Sequence, residues 1–252
     1  MRARISLLIL LWLWSAIHPG GLFAEEVTTE AQRIAFIIEK VVDAYGGKET
    51  IESIQGMHIK GNIEALMLRD HGTYALYFKR GRKLRVETKY RHSSEIRILN
   101  GDKGYRGTDV LPVEEVFGAR YFAMVYHFKH LDLLHDLVKG TYQMQSMGKS
   151  SVGVSEVEVF HLNDKDGAIM DVYIDTHKFL ILKVTGYFKE KDKEIDLSVE
   201  FSDFKKVSRT VFPFRITNYA GGLKIAQTVI DSYLLNPDIA DFLFEPATAR
   251  SL

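Results

Sequence analysis

Three histidines close together, His127, His130 and His135, are the residues of this chain whose type most readily suggests chemistry, as ligands of a metal ion. They fall in helical sequence, and at 100° per residue their directions spread over more than a third of the circle. They do not converge on one ion as the i, i+4 pair of a zinc-binding helix does, so they read as rim or core histidines. Gly148-Lys149-Ser150 has the ending of a phosphate loop, but the glycine required upstream is Gln143, and the segment lies between strands instead of opening a helix. No G-x-S-x-G elbow occurs. Asp171 and Asp175 share one face of an expected strand, yet Asp175 is better explained as the turn residue before Thr176-His177. Lys189 with Asp192, and Lys193 with Glu194, read as solvated turn charges. No set of acid, base and nucleophile emerges, and neither a cofactor nor a metal is implied.

The elements that would position any site are organised around Gly72 to Val86. Tyr74, Leu76 and Phe78 share one face, Leu84 and Val86 share one after a turn at Arg80-Gly81-Arg82, and basic residues alternate with them. A two-stranded hairpin cannot bury such a face alone. Something must cover it.

Around this hairpin the period of apolar residues is two. Met57, Ile59, Ile63 and Ala65 precede it; Ile96 and Ile98 follow, leading into an Asn100-Gly101 turn and a strand from Tyr105. Strand periodicity resumes after residue 140 and continues through Tyr142 to Met147, Val157 to Leu162, Ile169 to Ile174, Phe179 to Phe188, Ile195 to Phe204, Pro213 to Tyr219 and Leu223 to Leu234. About five strands before Pro112 and seven after Gly140, joined by short turns, predict an antiparallel meander on either side of a helical insert. An open sheet of more than ~10 strands curls. Asp241 to Phe244 is expected as a short final docking segment.

Two stretches are helical in period. Thr29 to Tyr45 carries Ile34, Ile37, Ile38, Val41 and Tyr45 on one stripe, with Thr29-x-x-Gln32 as a capping box and Gly46-Gly47 as the stop. Arg120 to Val138 gathers Lys129, Asp132 and Asp136 in one narrow sector and is apolar around most of the remaining circle. A surface helix needs an apolar stripe of only ~100°, so this one is covered on two sides or lines a cavity. The fold class expected is mainly β (α+β): a large curled antiparallel sheet forming an incomplete barrel, capped by helices.

Residues 1–24 read as a cleavable signal peptide: Arg2 and Arg4, a 13-residue apolar run from Ile5 to Ile17, then Pro19-Gly20-Gly21. The run is short of the ~20 residues that span a bilayer. Absence of cysteine excludes disulfides and a lipid-anchored cysteine, and residues 25–252 are expected to form a single periplasmic domain and a monomer. Without Arg2 and Arg4 the chain has 31 basic against 33 acidic residues, so no global field points to nucleic acid. With 46% apolar and 12% aromatic residues, disorder is excluded.

The order of these elements, from roughly Thr29 to Pro246, resembles the LolA/LolB-like family of periplasmic lipoprotein carriers. The local match is Tyr77-Phe78-Lys79-Arg80-Gly81-Arg82-Lys83-Leu84-Arg85-Val86. The family pattern there is an apolar pair, Lys-Arg-Pro, two residues, an aromatic, one residue and Trp. By that resemblance Arg80 corresponds to the arginine that holds a helical lid closed, and Leu84 to a partner-contact aromatic. Gly81 replaces the proline, and neither Leu84 nor Val86 is aromatic. Asn100-Gly101-Asp102-Lys103, Phe201-Ser202-Asp203-Phe204, Pro213-Phe214-Arg215-Ile216 and Asn236-Pro237 resemble the set found in a broad branch of outer-membrane lipoprotein-sorting proteins.

The resemblance implies lipoprotein acyl chains or free lipid as cargo, with inner- and outer-membrane transfer proteins as exchange partners. Burial of a fourteen-carbon chain is worth at most roughly 10 kcal/mol, which calls for an enclosing apolar wall. Candidates are Ile59, Ile63, Leu76, Phe78, Val86 and Ile98 from the early strands, Leu197, Val199 and Phe201 from the late ones, and Met124, Tyr126 and Phe128 from the helical insert. The alternative is a non-catalytic sensor or protein-binding module whose interior is ordinary core; an enzyme on this scaffold has no residues to recommend it.

Overall fold

The computed structural model describes residues 21–164, 169–190 and 193–246. Most of the expected signal peptide, residues 1–20, lies outside them. Two helices, α1 (Gly21–Ala44) and α2 (Lys48–Ser53), precede six strands: β1 (Gly56–Ala65), β2 (Asp70–Lys79), β3 (Lys83–Tyr90), β4 (Ser94–Asn100), β5 (Lys103–Thr108) and β6 (Glu114–Val116). A third helix, α3 (Gly118–Lys139), is followed by β7 (Gln143–Val152), β8 (Ser155–Asn163), β9 (Ile169–Asp175), β10 (Ile181–Glu190), β11 (Lys193–Val207), β12 (Thr210–Ala220) and β13 (Leu223–Leu235), and by a 3-10 turn at Asp241–Phe244.

All 13 strands belong to one curled, unclosed antiparallel sheet in the order β6-β5-β4-β3-β2-β1-β13-β12-β11-β10-β9-β8-β7. The first and last strands pair at its centre, Ile59 opposite Tyr233 and Ile63 opposite Thr228. Its two free edges, β6 and β7, are the strands that flank α3 in the chain. The helix therefore connects one edge of the curl to the other, across the concave face. The mainly β, incomplete-barrel architecture is the one expected.

How α3 fits follows from its apolar circumference. Tyr126, Leu133 and Leu137 pack with Phe160, Leu162, Val172 and Val184 on the late arm. Met124 and Phe128 pack with Phe78, Leu84, Val86 and Leu99 on the early arm. Close approach on both sides depends on glycine: a Cβ at Gly186 of β10 would stand 2.3 Å from the Tyr126 ring, and one at Gly104 of β5 would stand 2.9 Å from Tyr121. Gly140, in the left-handed region at φ 65°, ends the helix. The stripe of α1 behaves as its spacing predicts, with Ile37, Val41 and Tyr45 buried against the late arm.

Three local expectations are corrected. Helix α1 begins eight residues before Thr29, because nothing between Gly21 and Ala44 breaks a helix; Thr29 is interior to it and not a cap. There are six strands before α3, since the three-residue β6 is too short to show a period. Ile98 lies on the convex face: Ile96, Ile98 and Ile239 cover Phe244, which the sheet buries completely. That docking is fixed by Asp241, whose carboxylate receives Lys79 at 2.6 Å and Lys83 at 2.9 Å, and by the Leu243 carbonyl, which accepts from Arg85 Nη1 at 2.9 Å.

Candidate functional site

Between the concave face and α3, with Tyr45 just after α1 also bordering it, is a cavity of about 410 Å³, within the range of ~300–1,000 Å³ usual for small-molecule sites. Six of the wall candidates border it: Ile59, Ile63 and Leu76 from β1 and β2, Leu197 and Phe201 from β11, and Tyr126 from α3. Phe78, Val86, Met124 and Phe128 are instead packed together beside it, with the rings of Phe78 and Phe128 at 5.2 Å between centroids. Helix α3 presses onto the early arm there and fills the space. Val199 is in the core of the late arm.

Leu84 is 2% exposed within the same early-arm core and has no surface to offer a partner. Met67 and Leu68, in the β1–β2 turn, are instead both 68% exposed and border the cavity, so they form its apolar mouth. Their signal was two large apolar residues directly before the turn at Arg69-Asp70.

Arg80, in the β2–β3 turn, reaches two helices at once. Its Nη1 and Nη2 donate to the carbonyls of Glu52 (3.0 Å) and Ile51 (2.9 Å) at the end of α2, where the carbonyl end of a helix attracts a cation. Its Nε donates to Asp132 Oδ1 of α3 at 3.2 Å. The polar sector of α3 is thus tied to the framework rather than to water: Lys129 pairs with Asp164, and Asp136 accepts from the Tyr142 hydroxyl at 3.1 Å. Burial, reinforced by the charge of Asp136, pushes the Asp132 carboxyl up to about 6, with Arg80 opposing the shift.

The histidines separate into two places. His127 and His130 border the cavity with their rings stacked at 4.9 Å. Burial holds both well below the usual imidazole range, His130 down to about 3, so both are neutral. His135 turns instead to Asp132, 3.7 Å from its Oδ1. Asp132, His135 and Asp136 bring donor atoms within 4.8 Å of one another. The guanidinium of Arg80 already meets Asp132 there, and the set is explained by that ion pair.

On the convex side, His161 Nδ1 and the Tyr187 hydroxyl each lie 2.6 Å from an oxygen of Asp171. Asp175 accepts from the backbone of His177 and Lys178, the turn role its sequence predicts. Gly148 sits in β7 at a bulge and opens no helix.

The polar residues of the cavity wall escaped the sequence reading. Glu95 and Arg97 of β4 border the cavity because the strand turns Ile96 and Ile98 to the convex face. Period two fixes which residues share a face but not which face is inside.

No protein-family model matches this chain, and no curated protein does. Solved structures do. A DUF1329 family protein from Desulfovibrio piger superposes with a TM-score of 0.54 at 13% identity, over 85% of this chain and 98% of that one. A LolA superfamily protein from Nitrosomonas europaea gives 0.52 at 12% identity, over 82% and 95%. The chain has a LolA-like fold. Among the described residues no helix is long and apolar enough to cross a membrane.

Proposed function

We propose that this protein is a non-enzymatic periplasmic carrier, exported by a signal peptide over residues 1–24, with residues 25–252 as one lipid-binding domain acting as a monomer. It takes the acyl part of a lipoprotein or another lipid into the cavity for transport toward the outer membrane, in exchange with membrane transfer proteins. The observation that carries this reading is the cavity itself. Ile59, Leu76, Phe201 and Ile216 wall a space of about 410 Å³ that the protein's own side chains leave unfilled. Enclosing a chain there gains ~0.8 kcal/mol per CH₂, while leaving the space to water forfeits packing. In this reading Arg80 is the latch, since it bonds β2–β3 to both α2 and α3.

Native mass spectrometry of the mature protein from its own periplasm, followed by organic extraction, tests the proposal. A stoichiometric acyl species that is lost from Phe201→Asp, with the circular dichroism unchanged, is the expected result. A clean apo mass together with no uptake of a fluorescent fatty acid would sink the carrier and leave a protein-binding module of the same fold.

A further inference from the structure

The cavity is apolar on most sides and charged on one. Of the described residues that border it, Glu95 is the only acid and Arg97 the only lysine or arginine. Glu95 Oε2 accepts from Arg106 Nε at 3.0 Å, while its Oε1 lies 3.1 Å from Arg97 Nε. That second contact is an ion pair without a hydrogen bond, because Arg97 Nε is buried and makes none among the described residues. Two guanidinium groups share one carboxylate, which leaves a formal charge of +1 beside the cavity.

Neither histidine bordering the cavity there offsets the charge. His127 and His130 are neutral, and the Nδ1 of His130 is also buried without a hydrogen bond among the described residues. The field of Arg97 acts on His127 of α3, Tyr74 of β2 and Tyr90 of β3. All three border the cavity, as Arg97 of β4 does. The cavity is also lined by Phe201 and Phe204 of β11 and by Phe212 and Ile216 of β12. Arg97, Glu95 and Arg106 keep 24–30% of their side-chain surface exposed, so an uncharged acyl chain filling this space would strip water from the cavity side of the excess cation alone, leaving the buried Arg97 Nε unanswered. An anionic oxygen placed against Arg97 removes that cost.

We propose that the cargo is an amphiphile with an anionic head, a fatty carboxylate or an alkyl phosphate, whose charged oxygens lie against Arg97 beside Tyr74, Tyr90 and His127. Its tail crosses to the aromatic side of β11 and β12. The head is then inside the protein with the tail, and a neutral acyl ester is a poorer ligand of the same length. This inference rests on the carrier reading and narrows it.

The test is titration of the delipidated mature protein at pH 8 with palmitate, methyl palmitate and hexadecyl phosphate. A charge-assisted contact of this kind predicts that an anionic probe binds roughly ten- to a hundredfold tighter than the ester. Preference for palmitate assigns a carboxylate site, and preference for the alkyl phosphate a phosphate site. Arg97→Met should abolish the preference while ester binding persists, which also shows that the variant is folded; Arg97→Lys should retain part of it. Equal binding of anions and ester by the unaltered protein, or a preference that survives Arg97→Met, overturns the head-group site and leaves the carrier standing. Failure of every probe to bind overturns both.

Discussion

Tyr126 of α3 rests directly on Gly186 of β10, and its hydroxyl donates to the Val184 carbonyl at 2.8 Å. The contact is the seat of the helix on the late arm: an aromatic ring occupies the volume that any other residue at 186 would need for its Cβ. Burial raises the Tyr126 hydroxyl well above the usual phenol range, so it serves as a neutral donor.

Gly186→Ala should therefore push α3 off the late arm. An added methyl in a packed contact costs about 1–3 kcal/mol, and at this chain length each kcal/mol lowers Tm by roughly 2–4 °C. Calorimetry measures it. An unchanged Tm would show that Tyr126 can turn aside freely, and that the glycine does not set the helix position.

Arg80→Leu removes three hydrogen bonds and leaves the carbonyls of Ile51 and Glu52 and the Asp132 carboxylate without that partner. The Ile51 and Glu52 carbonyls keep the bonds they accept from the Ile54 N–H and the Gln55 side chain, so the expected loss is that of the charge-assisted bonds themselves, about 1–3 kcal/mol, read by urea denaturation. If Arg80 is a latch, a fluorescent fatty acid should also enter the variant faster, because α2 and α3 are no longer joined through the turn. Arg80→Lys supplies one compact charge in place of a fork and should fall between the two. Lower stability with unchanged uptake would make Arg80 a brace and not a latch.

Much of this architecture is readable from period alone, and the unreadable part has a definite physical form. Alternation locates β2 and β3 and the turn between them, and the crowded circumference of Arg120 to Val138 announces a helix that is covered on two sides or lines a cavity. What alternation leaves open is which face of a strand is inside. In β4 the two isoleucines, Ile96 and Ile98, are the obvious inner pair, yet Phe244 from a distant 3-10 turn covers them on the convex side. Glu95 and Arg97 thereby face the cavity. The same tertiary effect divides the wall candidates: Phe78 and Leu76 share a face, but Phe128 fills the space over Phe78 and the cavity begins at Leu76.

Asp132 predicts an unusual pH dependence. Its folded value, about 6, lies above the ordinary value of 3.8, so between these the folded state holds a proton that the unfolded state has released. Stability from this group accordingly rises as pH falls from about 7 to about 4, and is lost as pH rises through 6. Asp241 acts in the opposite sense. Lys79 and Lys83 hold it down to about 2, so its contribution is present above pH 3.8 and is lost as pH falls toward 2. Unfolding free energies measured from pH 7 to 4 should show Asp132→Asn lacking the gain that the unaltered protein shows. Parallel curves for the two proteins would place Asp132 in ordinary solvent.

Core and wall can be separated by one pair of truncations. Phe78 is 1% exposed and stacked on Phe128, so Phe78→Ala opens a void within a filled cluster and should cost about 3–5 kcal/mol. Phe201 borders a space that already exists, and its removal enlarges that space without emptying a packed one. Phe201→Ala should cost no more than about 1–2 kcal/mol, less than the usual core truncation, while altering which acyl chain length binds best. Measured side by side, a large stability loss without a change in ligand length at 78, and the reverse at 201, would establish that the cavity ends where Phe128 meets Phe78. Equal stability losses at both positions would mean that the space beside Phe201 closes in solution, and a closed space holds no acyl chain.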